Sequence, residues 1–170
     1  MGIFIGILEE GLIYAILALG VLITYRILDF PDLTVDSSFP LGAAVSAILT
    51  VNGMHPVLTL LMATLAGAAA GLVTGLIHVK CRVRDLLSGI ITMTGLYSIN
   101  LRIAGRANLP FFNMDTLFDN ALVDSLPAAL APWSKVLVVL VIVLVVKVLL
   151  ALFMNTKAGF LLRAEGDNPA

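Results

Sequence analysis

Two polar clusters interrupt otherwise apolar stretches, and they hold the side chains most able to do chemistry in this chain. The first is Asp32-Leu-Thr-Val-Asp-Ser-Ser38, and the second is Thr92-Met-Thr-Gly-Leu-Tyr-Ser-Ile-Asn100. On a helix, Thr94, Tyr97 and Ser98 share one broad face. A hydroxyl-rich face inside a membrane can hydrogen-bond a passing solute, but the same groups also bond to neighbouring helices or to their own backbone. Composition leaves both interpretations open.

The residue patterns of an enzyme are missing from the sequence. There is no His-Glu-x-x-His metal motif, no Gly-x-Ser-x-Gly nucleophile turn and no Gly-x-x-x-x-Gly-Lys-Ser/Thr phosphate loop. Cys81 is the single cysteine, and His55 and His78 are interpreted as interfacial residues. We therefore expect no enzymatic activity, no metal and no cofactor, and if the protein worked in an ATP-driven process, another chain would have to bind the ATP.

The composition predicts that lipid is the main solvent of the chain. Hydrophobic residues make up 60% of the 170 residues and charged residues only 12%, with a mean hydropathy of +1.07. A soluble domain needs about 25% charged residues to cover its surface, and this chain has about half of that. The alternative to a membrane protein is a very apolar soluble subunit that is buried in a complex. The net charge of −1 gives no footprint for nucleic acid. Glu9 and Glu10 precede the first cation, Arg26, so the N-terminus does not resemble a secretory signal and should stay in the mature protein.

Five apolar elements predict an all-α, polytopic bundle of transmembrane helices. They are residues 3–25, 38–51, 57–79, 86–104 and 134–154. A helix needs about 20 residues to cross the bilayer, so every element except the second is long enough. The second is bounded by Pro31 and Pro40 and follows several aspartates. We interpret residues 28–41 as a break between helices that lines a cavity, and a plain cytoplasmic loop is the open alternative.

The positions of the cations predict the orientation, because lysine and arginine collect on the cytoplasmic side. They occur between the third and fourth elements and after the fifth: Lys80, Arg82, Arg84, Lys157 and Arg163. We predict an N-terminus outside the cell and a cytoplasmic C-terminus. The outer connection, residues 105–133, ends in a predicted interfacial helix from Leu126 to Trp133. Lys147, inside the fifth element, is interpreted as reaching to the cytoplasmic interface.

The third element carries a face of small residues. Gly67, Gly71 and Gly75 recur every four residues, beside several alanines. Such a face lets two helix backbones approach closely in a membrane. It predicts tight helix packing and indicates no chemistry.

Three segments carry a resemblance to a known family. They are Tyr14-Ala-Ile-Leu-Ala-Leu-Gly-Val21 with the Asp32-Leu-Thr-Val-Asp-Ser-Ser-Phe-Pro-Leu-Gly42 run, Leu87–Arg102 with Gly105-Arg-Ala-Asn108, and the tail Gly159-Phe-Leu-Leu-Arg-Ala-Glu-Gly-Asp-Asn-Pro-Ala170. The chain resembles bacterial ABC-importer permeases for branched-chain amino acids and ribose-type sugars. More narrowly, it is similar to the branch paired with aromatic-amino-acid or uncharacterised binding lipoproteins. Ser37 departs from the family, in which glycine is common at that position.

The resemblance implies an N-terminal fragment, about half of a permease, with a transmembrane bundle at residues 1–154 and a cytoplasmic coupling segment at 155–170. It implies alternating access in a bacterial plasma membrane, with a small solute, most readily an amino acid, as cargo. The implied partners are cytoplasmic ABC ATPase subunits, an extracytoplasmic solute-binding lipoprotein, a second permease copy and the lipid bilayer, with no nucleic acid.

The resemblance also directs the choice of site residues. For the solute path we predict Asp32, Thr34, Ser38, Thr94, Tyr97 and Asn100. For coupling to the ATPase we predict Gly159, Arg163, Ala164, Gly166, Asp167 and Asn168, with the two glycines bracketing a short helix at residues 160–165. Two rivals stay open: a secondary transporter driven by an ion gradient through the aspartates near residue 32, and a membrane scaffold that transports nothing.

Overall fold

The computed structural model describes residues 2–105, 118 and 133–167, and this part of the chain consists of helices and the turns that join them. The helices are α1 (Gly2–Leu22), a π-helical segment (Ile23–Ile27), α2 (Val35–Val51), α3 (Pro56–Cys81), α4 (Asp85–Ala104), α5 (Ser134–Met154) and α6 (Lys157–Asp167). The predicted all-α class is confirmed.

Within the described residues, four helices are long and apolar enough to cross a membrane, as the hydropathy pattern predicts. They are Ile3–Ile27, which joins α1 to the π-helical segment, together with α3, α4 and α5. The bounds of α5 agree with the predicted span to the residue, because most side chains between Trp133 and Asn155 are apolar, with Lys147 as the charged residue in the middle of the run. The predicted helix at residues 126–133 lies outside the described residues, apart from Trp133.

The second element corrects the sequence prediction. Helix α2 begins at Val35 rather than at Ser38, so the break between helices covers only residues 28–34. Pro40 lies inside the helix, where it removes a single backbone hydrogen bond and does not end the helix. The helix begins earlier because Asp32 Oδ1 accepts from the amide of Thr34 at 2.8 Å, and the Thr34 carbonyl accepts from the amide of Ser38 at 2.8 Å.

The chain divides into two compact units. The first comprises residues 1–30 and 118–170. Within it, α1 packs along α5, and α6 contacts both the end of α5 and the π-helical segment. The buried side chains of α5 are Ser134, Val136, Val139 and Met154.

The second unit comprises residues 31–117, and α2 packs against both α3 and α4 within it. Its apolar core consists of Leu41, Ala70 and Leu96, one from each helix. The link from α3 to α4 is tight: Arg82 adopts a left-handed φ of 51°, and His78 Nδ1 donates to the Val83 carbonyl at 2.8 Å. This unit contains the two polar clusters predicted from the sequence.

Candidate functional site

A set of polar side chains joins α2 to its two neighbours, and we call it the polar seam: Thr34, Ser37, Thr74 and Asn100. The hydroxyls of Thr34 and Thr74 lie 2.8 Å apart. Ser37 donates to the Met93 carbonyl at 3.0 Å, and Asn100 Nδ2 donates to the Ser37 carbonyl at 3.0 Å. The seam therefore links α2 to α3 through one bond and to α4 through two.

The direction of the Thr34–Thr74 bond follows from the number of protons available. Thr74 Oγ1 also lies 3.2 Å from the Ala70 carbonyl, which can only accept, so Thr74 donates there. A hydroxyl has a single proton, so Thr34 must donate to Thr74. The two residues are 1% and 2% exposed, which makes each hydrogen bond costly to lose.

Helix α4 presents a buried face of small polar residues to the start of α2. Ser88 and Thr92 are buried and donate to backbone carbonyls of their own helix, at 2.7 Å and 3.0 Å. Gly89 lies directly under the chain: a Cβ there would sit 3.0 Å from the Leu33 nitrogen and 3.5 Å from Asp32 Oδ1. The Asp32–Leu33 turn thus rests on the bare backbone of α4.

The structure brings together half of the residues predicted for a solute path. Asp32, Thr34 and Asn100 lie in or beside the seam. Ser38 is half-buried, and its hydroxyl lies 3.5 Å from the Val35 carbonyl.

Thr94 and Tyr97 lie away from the seam. Thr94 is exposed and donates to the Ile90 carbonyl at 2.8 Å, while Tyr97 is 64% exposed. Tyr97 and the acceptor lone pairs of the Thr94 hydroxyl therefore remain exposed to a solute or to lipid, and the predicted role of both residues stays a prediction.

Sequence reasoning missed Ser37, Thr74 and Gly89. Each acts through a contact to a distant part of the chain, which no local pattern reveals. One signal was present: Ser88, Thr92 and Asn100 follow a spacing of four or eight residues that marks one helix face. That face is the buried one.

One polar atom of the seam lacks a partner. Asn100 Oδ1 is buried and has no hydrogen-bond partner among the described residues. A buried acceptor without a bond costs about 1–3 kcal/mol. It is the atom of the seam best able to accept a hydrogen bond from a polar solute.

An apolar groove of about 500 Å³ lies within the second unit, lined by α2, α3 and α4. Small residues lie beside branched ones along it, including Ala66, Ala70, Gly95, Ile77 and Ile99. Its lining is almost wholly apolar, so it suits a hydrocarbon surface and not a charged solute.

The glycine face of α3 is open. No described atom lies within 4 Å of a Cβ built on Gly67, Gly71 or Gly75. Small residues do meet between α2 and α3, where a Cβ on Gly42 would sit 3.7 Å from the Ala63 carbonyl, an ordinary packing distance. Packing through the glycine face stays a prediction.

The predicted coupling helix is longer than the sequence suggested. Helix α6 spans Lys157–Asp167, so Gly159 and Gly166 lie inside it and do not bracket it. Both are needed for close approach: a Cβ on Gly159 would sit 2.5 Å from the Met154 Cα, and one on Gly166 would collide with the Ile27 carbonyl. Thr156 caps the start of the helix: its Oγ1 accepts from the Gly159 amide at 3.4 Å.

Helix α6 has two different faces. Gly159 is buried and Gly166 half-buried, whereas Phe160 and Leu161 are 60% and 71% exposed. Arg163 and Ala164 are exposed with them. Of the other predicted coupling residues, Asp167 ends the helix and Asn168 lies outside the described residues.

No cluster of metal-ligating side chains occurs in the described ranges. The family model for the permease component of branched-chain amino acid transport systems matches residues 3–170. The chain belongs to this family.

Two curated relatives extend the comparison. The permease is 44% identical over 164 residues to a tyrosine transport system permease protein of Clostridioides difficile (strain R20291), covering 96% of the chain and 52% of the relative. It is 36% identical over 168 residues to the uncharacterized protein RP368 of Rickettsia prowazekii (strain Madrid E), covering 99% of the chain and 56% of the relative. No solved structure matches.

The chain thus spans about half the length of the curated relatives it matches. The predicted family is confirmed. Together, the membrane-length helices and the family membership indicate a multi-pass membrane protein of a transport-permease family.

Proposed function

We propose that the full-length protein is the membrane-spanning subunit of an ATP-driven importer for an amino acid, working by alternating access. The observation that carries this proposal is the geometry of α6. A short helix follows the membrane-length α5 after only two residues, and backbone contacts fix its inner face. Its outer face exposes Phe160 and Leu161 beside cationic Arg163.

An exposed apolar pair beside a cation is a surface suited to a protein partner. Phe160 and Leu161 can fill a groove on the partner, and the guanidinium of Arg163 can fix the alignment of the two surfaces. In the proposed importer this partner is a cytoplasmic ATPase subunit. Residues 155–170 form the coupling segment and residues 1–154 the permease bundle.

The proposed orientation places the N-terminus outside and the C-terminus in the cytoplasm. The cations of the α3–α4 link and of α6 then lie on the same side, in accord with the positive-inside rule. An extracytoplasmic binding lipoprotein delivers the solute, and a second permease copy completes the pathway.

For solute contact we propose the Asn100 amide, since its Oδ1 is a buried acceptor without a partner among the described residues. The exposed hydroxyls of Thr94 and Tyr97 supply further contacts along α4. An aromatic amino acid is the first solute to test, because the relative from Clostridioides difficile is named as a tyrosine transport permease. Asp32, Thr34 and Ser38 then hold the shape of the path.

The test is uptake by proteoliposomes that contain the full-length permease, its ATPase and its binding protein. Labelled tyrosine should enter the proteoliposomes only when ATP is present on the side of the membrane where the ATPase lies. Arg163→Glu should lower uptake per ATP hydrolysed, and Arg163→Lys, which keeps the charge, should retain more of it. Uptake that follows a proton or sodium gradient without ATP would overturn the proposal.

Orientation has its own test. In a Cys81→Ser background, which removes the exposed thiol, single cysteines are placed at Arg163 and Trp133. Helix α5 separates the two positions and spans about 30 Å, so a membrane-impermeant maleimide should reach them from opposite sides. Labelling of position 163 from outside the cell would contradict the docking of an ATPase.

A further inference from the structure

The end of α1 is wound differently from the rest of the helix. Residues Ile23–Ile27 form a π-helical segment, in which the Leu28 amide donates to the Ile23 carbonyl at 3.1 Å, five residues back. The Phe30 amide then donates to the Thr24 carbonyl at 2.9 Å, six residues back. Such π-helical turns are rare, occur mostly as single turns within α-helices, and are frequent at functional sites.

The residue after this segment is also held in an uncommon backbone conformation. Asp29 has a φ of 51°, in the left-handed region that residues other than glycine seldom adopt. Aspartate is among the side chains that tolerate this region best. The wide turn and the left-handed residue follow each other directly, and together they end the helical run of α1 at residues 28–30.

Helix α6 approaches the end of the π-helical segment closely at Gly166. A Cβ on Gly166 would collide with the carbonyl of Ile27 and would lie 3.3 Å from the Cα of Leu28. The bond that would carry the Cβ therefore points at a carbonyl oxygen, which is the arrangement of a Cα–H···O contact. At the other end of α6, Gly159 also lies close to a backbone: a Cβ there would sit 2.5 Å from the Cα of Met154 at the end of α5.

Two glycines inside an 11-residue helix need a structural reason, since each costs about 1 kcal/mol relative to alanine in a helix interior. The reason here is backbone-to-backbone contact at both ends. Helix α6 thus contacts the end of α5 at one end and the end of the π-helical segment at the other, and at both glycines no side chain separates the two backbones.

We propose that Gly166 is a positioning residue that transmits movement of α6 to the π-helical segment Ile23–Ile27, and through it to residues 28–30 that follow the segment. This role rests on the proposed importer, in which an ATPase moves α6. Because the contact is between backbones, a shift of α6 displaces the Ile27 carbonyl directly. A π-helical turn can respond by changing its hydrogen-bond register, which an α-helical turn resists.

The experiment uses the full-length protein in lipid nanodiscs and hydrogen–deuterium exchange read by mass spectrometry. Gly166→Ala should accelerate exchange of the amides in residues 23–30 on the order of tenfold, because the added methyl group pushes α6 off the Ile27 carbonyl. Gly20→Ala is the matched control, since no described atom lies within 4 Å of a Cβ at that position of α1. It should leave exchange of residues 23–30 at the wild-type rate.

The second readout is transport in proteoliposomes with the ATPase and the binding protein. Gly166→Ala should lower tyrosine uptake per ATP hydrolysed, while Gly20→Ala keeps the wild-type ratio. If Gly166→Ala exchanges faster in residues 23–30 but takes up as much tyrosine per ATP hydrolysed as the wild type, the transmitting role is overturned. Unchanged exchange would overturn the contact itself. If the wild-type protein shows no ATP-driven uptake, the proposed function and the transmitting role both fail, while the exchange result still decides the contact.

A measurement on the wild-type protein covers the case in which Gly166→Ala does not fold. In the complex with the ATPase, a non-hydrolysable ATP analogue should change exchange in residues 23–30 and leave the middle of α1, residues 6–16, as it was. Equal exchange in residues 23–30 with and without the nucleotide analogue would overturn the proposal.

Discussion

The hydrogen bond between Thr34 and Thr74 gives the most specific prediction about stability. Thr34 donates to Thr74, and Thr74 donates in turn to the Ala70 carbonyl. The two possible single substitutions to valine are therefore unequal. Thr74→Val leaves the Thr34 hydroxyl as a buried donor without an acceptor, whereas Thr34→Val leaves Thr74 with its bond to Ala70.

The magnitudes follow from this asymmetry. A buried donor left unsatisfied costs about 1–3 kcal/mol, so Thr74→Val should destabilise the protein by about 2 kcal/mol. Thr34→Val loses one bond between helices, worth about 0.6 kcal/mol in a membrane protein. The double variant removes both hydroxyls and leaves no buried hydroxyl without a partner. It should therefore lower the free energy of unfolding by about 1 kcal/mol, well below the sum of the losses for the two single variants.

The assay is a double-mutant cycle on the full-length protein, with unfolding followed in mixed micelles as denaturing detergent is added. Thr64→Val is the matched control: Thr64 is exposed on the same helix and its hydroxyl bonds to the Leu60 carbonyl, so the change should cost less than about 0.5 kcal/mol. Single-variant effects that add to within about 0.3 kcal/mol would refute the coupling. A Thr74→Val protein as stable as the Thr64→Val protein would refute the burial argument.

Three further predictions use matched pairs or single changes. Gly89→Ala should lower the unfolding temperature because its methyl group meets backbone, whereas Gly95→Ala, with open space, should raise it through helix propensity; the thermal unfolding of both variants checks this. Arg82→Gly should stabilise the protein by about 1 kcal/mol, because glycine adopts the left-handed φ of 51° without strain. Arg84→Gly should bring no such gain, since Arg84 has an ordinary φ of −56°; denaturant unfolding of both variants checks this. Lys147→Leu should leave uptake near the wild-type level if this exposed lysine only reaches to the interface, and a large loss would identify a functional charge.

The bounds of the long helices could be predicted from the sequence because hydropathy determines them. Helix α5 is the clearest case, since its apolar run ends on both sides at polar residues or tryptophan. The start of α2 could not be predicted in the same way. Pro40 was interpreted as a boundary, although a proline near the start of a helix costs one hydrogen bond, and the bonds through Thr34 and Asp32 outweigh it.

The partners within the polar seam were beyond the reach of the sequence. Thr34 and Thr74 are 40 residues apart, and Ser37 and Asn100 are 63 apart. A polar residue in an apolar helix predicts that some partner exists, but its identity depends on how the helices cross. The predicted face of Thr94 and Tyr97 had the right spacing for a shared surface, but the face that packs inside the unit is that of Ser88 and its neighbours.

The tail shows a different limit. Glycine near a predicted helix is most often a terminator, so Gly159 and Gly166 were assigned to the two helix ends. The structure places both inside α6, at points where its backbone touches Met154 and Ile27. Glycine occurs both where two backbones approach closely and where a helix ends, so the sequence alone does not tell these two uses apart.

The second unit is held together less by burial than its composition suggests. Its apolar core consists of Leu41, Ala70 and Leu96, while Leu65 and Leu72 are each 63% exposed. In lipid, exposed leucines cost nothing, since the acyl chains are as apolar as the protein interior, and helix association must rely on hydrogen bonds and close packing. It follows that the polar seam, and not the leucines that dominate the sequence, determines how α2 sits against α3 and α4. The loss of a single methyl group on the outer surface should therefore matter less than the loss of a single hydroxyl in the seam.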